Sequence, residues 1–100
     1  MVKVNWSKKA IEDIFEIREH YSLIAPGYAE KLTDEIFAKE NLLSEFPLAG
    51  RVVPELQNES VRELLFKNYR IIYVSLDSKS ITVIAVHNSL RPLSDFSVFG

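Results

Sequence analysis

Apolar and polar positions along the chain follow two rhythms. Val2-Lys3-Val4-Asn5-Trp6 alternates with period two, the pattern of a half-buried strand. After Ser7, whose hydroxyl is placed to cap a helix, the period becomes helical. Ala10, Ile11, Ile14, Phe15, Ile17 and Tyr21 share one stripe on which only Arg18 is polar, predicting a helix to about Ile24. Ala25-Pro26-Gly27 interrupts it, because proline disfavours helix at the residue before it and glycine permits a reversal. A second helix is predicted over Tyr28 to Glu45, with Ala29, Leu32, Ile36, Leu43 and Phe46 on its apolar stripe, and Pro47 stops it. So short a connection implies an antiparallel hairpin whose joint apolar face needs a sheet to cover.

The sheet comes from the second half of the chain. Val61 to Phe66, Tyr69 to Val74 and Ile81 to His87 have strand length and strand composition, separated by short polar turns, which predicts a three-stranded antiparallel meander. Leu48 to Arg51 reads as a loop. Val52 to Leu56 reads as an extended edge segment, since Pro54 has no amide to donate to a ladder. A two-residue turn at Lys67-Asn68 sets Phe66 opposite Tyr69. A four-residue turn at Asp77 to Ser80 sets Ile72 opposite Ala85 and Arg70 opposite His87. One face then carries Val61, Leu65, Ile72, Val74, Ile81, Val83 and Ala85, with Glu63, Arg70 and His87 gathered towards one end. The other carries Leu64, Phe66, Tyr69, Ile71, Tyr73, Ile84 and Val86, with Arg62 among them. The pattern therefore predicts a single α+β domain over 1–100: N-terminal strand, antiparallel helical hairpin, three-stranded antiparallel meander. Both sheet faces are apolar, so one is expected to be covered by the helices and the other by the Leu93-to-Phe99 tail or by another molecule.

Composition narrows the classes of function. The chain is 47% apolar and 26% charged, an ordinary globular balance, and it has no cysteine and only two histidines. Thiolate chemistry is excluded, and neither a metal nor a cofactor is expected. No apolar run approaches the roughly 18 residues of a membrane span, so a cytoplasmic protein with no membrane partner is expected. The formal charge of −2 is unevenly spread. Ser7 to Phe46 holds five basic and nine acidic residues, whereas Pro47 onward holds six basic and five acidic. Nucleic-acid backbone binding is usually carried by a clear basic excess, which this chain lacks.

Chemistry-bearing residues concentrate in the sheet. Glu55, Arg70 and His87 have the types needed for a general base, a phosphate-charge stabiliser and a general acid in phosphodiester cleavage. The same residues serve as readily as a structural ion pair and a strand-end histidine, and that plainer use is the commoner one. Tyr69 and Tyr73 read as packing residues before base-stacking ones.

The element order, together with Gly50-Arg51, Pro54-Glu55-Leu56, Val61-Arg62-Glu63, Asn68-Tyr69-Arg70-Ile71-Ile72-Tyr73 and Val86-His87-Asn88-Ser89-Leu90-Arg91, resembles the RelE/ParE toxin superfamily. Trp6 followed by Ala10 and Ile14 is similar to its N-terminal pattern, so the resemblance spans nearly the whole chain. It implies the toxin of a type II toxin–antitoxin system, of the plasmid-stabilisation type, held by a cognate antitoxin whose disordered segment folds onto it. RelE-like members cut mRNA on the ribosome as mRNA interferases, and ParE-like members poison DNA gyrase without chemistry of their own. The resemblance puts Glu55, Arg70 and His87 on the catalytic positions of the nuclease branch. It makes Arg51, Arg62 and Arg91 the candidates for target binding, and Leu64, Phe66, Tyr69, Tyr73, Phe96 and Phe99 those for antitoxin binding. Two departures favour the ParE-like branch. Asn88 follows His87 and the tail has no tyrosine, where the nuclease branch commonly has a tyrosine or an added basic residue. The chain also lacks the basic excess suited to ribosomal RNA. Growth arrest by gyrase inhibition is thus the expectation, RelE-like mRNA cleavage the alternative, and an inactive interaction or co-repressor module the third.

Overall fold

The computed structural model describes residues 1–75 and 77–89. The expectations for Arg91, Phe96, Phe99 and the covering tail lie outside the described residues. The elements are β1 (Lys3–Trp6), α1 (Lys8–Ser22), α2 (Pro26–Glu45), β2 (Arg51–Val52), β3 (Val61–Phe66), β4 (Tyr69–Val74) and β5 (Ser80–Asn88). They form an α+β structure with a five-stranded sheet in the order β1-β5-β4-β3-β2. β1 runs parallel to β5 and every other pairing is antiparallel.

Local chemistry accounts for the element ends. The Ser7 hydroxyl accepts the Ala10 amide at 3.1 Å, capping α1, and donates to the Ile84 carbonyl at 3.2 Å, so the cap also ties the helix to β5. Pro26 begins α2 rather than preceding it, because a proline in the first helical turn lacks only an amide that the helix could not use. The end of α2 is fixed to the start of β1: Val2 N donates to Ser44 O at 2.9 Å and Ser44 Oγ donates to Val2 O at 2.7 Å.

The helical hairpin covers the sheet face carrying Tyr69, Ile71, Tyr73 and Val86, with Leu64 and Phe66 packed at its margin. Ala10, Ile14, Leu32, Ile36 and Leu43 supply the helix side. Each fully buried Leu or Ile contributes about 1.5–3 kcal/mol of transfer free energy, so this layer dominates the stability. The α1 stripe is rotated from its expected position. Phe15 is 57% exposed, and Asp13 takes an inward position between Ala10 and Ile14. Phe46, expected on the α2 stripe, is 55% exposed.

The strand pairings Phe66↔Tyr69, Leu65↔Arg70, Ile72↔Ala85 and Arg70↔His87 are the expected ones, but the last two are not set by the turn, beside which Val74 pairs with Thr82, one residue out of the expected register. Beyond Ile72 the register shifts: Tyr73 pairs with Val83 and Val74 with Thr82, leaving Ile84 as an extra residue on β5. This bulge reverses the expected facing of half the strand. Ile81 and Val83 join the helix-covered core, while Ile84 joins the opposite cluster. That second cluster consists of Val53, Val61, Ile72 and Ala85 with Leu56, Val74 and Ile84 against it. Val53 and Leu56 come from the β2–β3 connection, so a segment of the chain's own middle folds across the outer face.

Candidate functional site

The β2–β3 connection also brings a carboxylate over the sheet. Pro54 to Leu56 form a turn closed by Leu56 N and Gln57 N, both donating to Val53 O at 3.1 Å. Gln57 holds a left-handed backbone at φ 49° to complete it. Glu55 projects from this turn to Arg70 of β4, which donates from Nη1 and Nη2 to the two carboxylate oxygens at 2.8 and 2.7 Å. The Nε of the same guanidinium donates to Glu63 Oε1, and Glu63 Oε2 accepts from Arg51 Nε at 2.7 Å. The result is a chain of alternating charge: Arg51, Glu63, Arg70, Glu55.

Burial differs sharply along that chain. The Glu63 side chain is fully buried and that of Arg70 is 9% exposed, whereas those of Glu55 and Arg51 are 47% and 57% exposed. Hydrogen bonds from Arg70 hold the Glu55 carboxyl down at about 2, against a smaller opposing effect of desolvation. The bonds to Glu55, and then those to Glu63, push the Arg70 guanidinium above its ordinary value. His87 is buried on β5 directly across from Arg70. The three residues expected to form a catalytic set are thus neighbours, with Arg70 held between two carboxylates.

Tyr73 anchors the segment that leads into the site. Its hydroxyl donates to Pro47 O and accepts the Gly50 amide, each at 2.9 Å. Gly50 has no room for a side chain, since a Cβ there would lie 2.6 Å from Glu63 O and 2.7 Å from the Tyr73 hydroxyl oxygen. The Gly50 carbonyl accepts from Arg62 Nη1 at 3.0 Å, while Arg62 Nε is buried without a partner. Tyr69 and Tyr73 lie in the helix–sheet core, at 6% and 0% exposure. This corrects the expectation that they stand on an open face, because the hairpin already covers it. Desolvation pushes both phenols up, helped at Tyr69 by the Tyr21 hydroxyl.

A cleft of about 310 Å³ opens beside Arg70, its walls including Arg51, Pro54, Glu55, Leu65, Lys67 and Tyr69. Glu63 was missed as a site residue. Its signal was available in an acidic residue at an inward position of β3 on the face shared with Arg70. Among the described residues, no group of three His, Asp or Glu side chains is arranged to hold a metal ion.

A two-helix hairpin against a five-stranded mixed sheet, with an arginine–carboxylate chain on the face opposite the helices, defines a small α+β protein. The sequence matches the family model for the ParE toxin of the type II toxin–antitoxin system parDE over residues 4–91, and the chain belongs to that family. Its fold is similar to that of a solved structure titled chromosomal ParDE TA system from P. aeruginosa. The TM-score is 0.73 and the identity 22%, covering 88% of this chain and 96% of that one. No curated protein matches the sequence significantly.

Proposed function

We propose that this ParE-type toxin arrests growth by binding and inhibiting DNA gyrase in the cytoplasm, and that its cognate antitoxin neutralises it. The observation that carries the reading is the state of Glu55. A general base for attack on a phosphodiester works best with a pKa near the working pH, and a carboxyl held at about 2 is far too weak a base. Arg70, the cation of the set, is engaged by Glu63 and Glu55, so a scissile phosphate would have to displace Glu55 to reach it. The formal charge of −2 adds to this, since docking among ribosomal RNA favours a basic surface. Of the arginines proposed for target contact, Arg51 presents an exposed side chain, while Arg62 spends its guanidinium on the Gly50 carbonyl. Leu64 and Phe66, half-buried at the margin of the hairpin, are the part of the proposed antitoxin surface that a partner could reach.

The test is a supercoiling assay with purified toxin. Wild type should inhibit gyrase, and Glu55→Ala and His87→Gln, provided each remains folded, should inhibit it within about twofold of wild type. Gyrase left unaffected, with transcripts cut in codon register in cells and that cutting lost in both variants, would establish the RelE-like alternative instead. That alternative draws its support from the neighbouring positions of Glu55, Arg70 and His87.

A further inference from the structure

The fork of Arg70 holds Glu55 as a ligand would be held: two parallel bonds to a planar carboxylate, at 2.8 and 2.7 Å, at the wall of an open cleft. The two ends of this pair are unequally fixed. Arg70 is immobilised from below through Nε by the fully buried Glu63, whose other oxygen is tied to Arg51. Glu55 is 47% exposed in its side chain, and it stands on a turn between β2 and β3 rather than on a strand. The seat is rigid and its occupant is the replaceable part. Beside it Leu65, the cross-strand partner of Arg70, leaves 58% of its surface exposed in the same cleft.

We propose that Glu55 is an internal stand-in for an external carboxylate, and that the cleft binds an acidic peptide segment of a protein partner. An Asp or Glu side chain of that segment takes the Arg70 fork while an adjoining apolar side chain lies on Leu65. The exchange replaces one bidentate carboxylate with another, so little bonding is lost and the apolar contact is gained. A peptide is favoured over a phosphate ligand because the fork already fits a planar carboxylate and Leu65 offers an apolar surface beside it. Glu55 competes as a tethered ligand, and tethering over a short connection amounts to an effective concentration of millimolar or more. Removing its charge should therefore tighten external carboxylate binding about tenfold or more. The inference does not rest on the gyrase reading: peptide binding can fail while gyrase inhibition stands, and the reverse.

The experiment titrates acetyl-Leu-Asp-Leu-amide into ¹⁵N-labelled wild type and Glu55→Gln at pH 7, following the Arg70 Nε–H signal and the Leu65 amide. Acetyl-Leu-Asn-Leu-amide and inorganic phosphate serve as comparisons, at matched ionic strength. The expected result is binding at least tenfold tighter to Glu55→Gln than to wild type, with both reporter signals moving and the Asn peptide inert. Should Glu55→Gln fail to fold, Glu55→Ala, which removes the tethered carboxylate, gives the same comparison. Equal affinity for variant and wild type, an unmoved Arg70 Nε–H, or phosphate binding as tightly as the Asp peptide would each overturn the proposal.

Discussion

Glu55 and Glu63 bind the same arginine, but their surroundings give them different energetic weight. Removing Glu63 leaves Arg70 Nε without an acceptor in the protein interior, and breaking a buried pair in this way costs about 3–5 kcal/mol. Removing Glu55 breaks a half-exposed pair that water can replace, a loss of up to about 1 kcal/mol. Urea denaturation should therefore rank Glu63→Ala well below Glu55→Ala, and equal midpoints would refute the assignment. The pH dependence has a definite sign. Because the folded Glu55 carboxyl sits near 2, below its unfolded value of 4.5, its stabilisation is fully present above pH 4.5 and is lost as pH falls towards 2. Acid titrations should show Glu55→Gln losing less stability than wild type across that window. At Gly50 the limit is space: Gly50→Ala forces a methyl against Glu63 O and the Tyr73 ring, an overpacking expected to cost about 1–3 kcal/mol in thermal melts.

At the scale of elements, a buried carboxylate helps to join the hairpin to the sheet. Asp13 of α1 accepts the Val86 amide of β5 through Oδ2 at 3.0 Å, while its Oδ1 pairs with Lys9. β1 accompanies β5 only from Ser80 to Val83, so Asp13 serves an amide that lies past the end of that strand pairing. Asp13→Ala leaves the amide buried and unpaired, and equilibrium unfolding should report a loss of about 1–3 kcal/mol. These details explain which parts of the structure could be read in the sequence. Both helices and the three long strands follow from periodicity, a local quantity, whereas the expected pairing of Arg70 with His87 is reached only because the bulge at Ile84 offsets a turn one residue out of the expected register. The facing of Ile81, Val83 and Ile84 was misassigned because a bulge leaves no mark in an apolar run in which every residue suits either face. Phe15 was misplaced because Asp13, counted as a surface charge, occupies the inward position between Ala10 and Ile14. Within the site, the types of Glu55, Arg70 and His87 were legible. Their mutual neutralisation depends on Glu63 and on a loop whose path no pattern predicts.

Taken whole, the molecule carries its acidic excess on the helices. Glu12, Glu16, Glu19, Glu30 and Asp34 lie exposed on the two helices, while the arginine–carboxylate chain occupies the opposite side of the sheet. A target that carries negative charge would be turned away by the helical side and would approach the sheet side. Raising ionic strength should accordingly weaken that repulsion, and gyrase inhibition measured from 50 to 200 mM salt should hold or strengthen, whereas a phosphate-reading protein would lose affinity steeply. The parallel pairing of β1 with β5 has a further bearing on how the toxin comes into being. Lys3 to Trp6 align with Ser80 to Val83, so β1 must wait until β5 has been made before it can pair. Until then the hairpin's apolar stripe has no complete sheet to rest on, and the nascent chain passes through synthesis as an unfinished, aggregation-prone species. Synthesis that stops short of β5 therefore leaves β1 unpaired and the sheet incomplete.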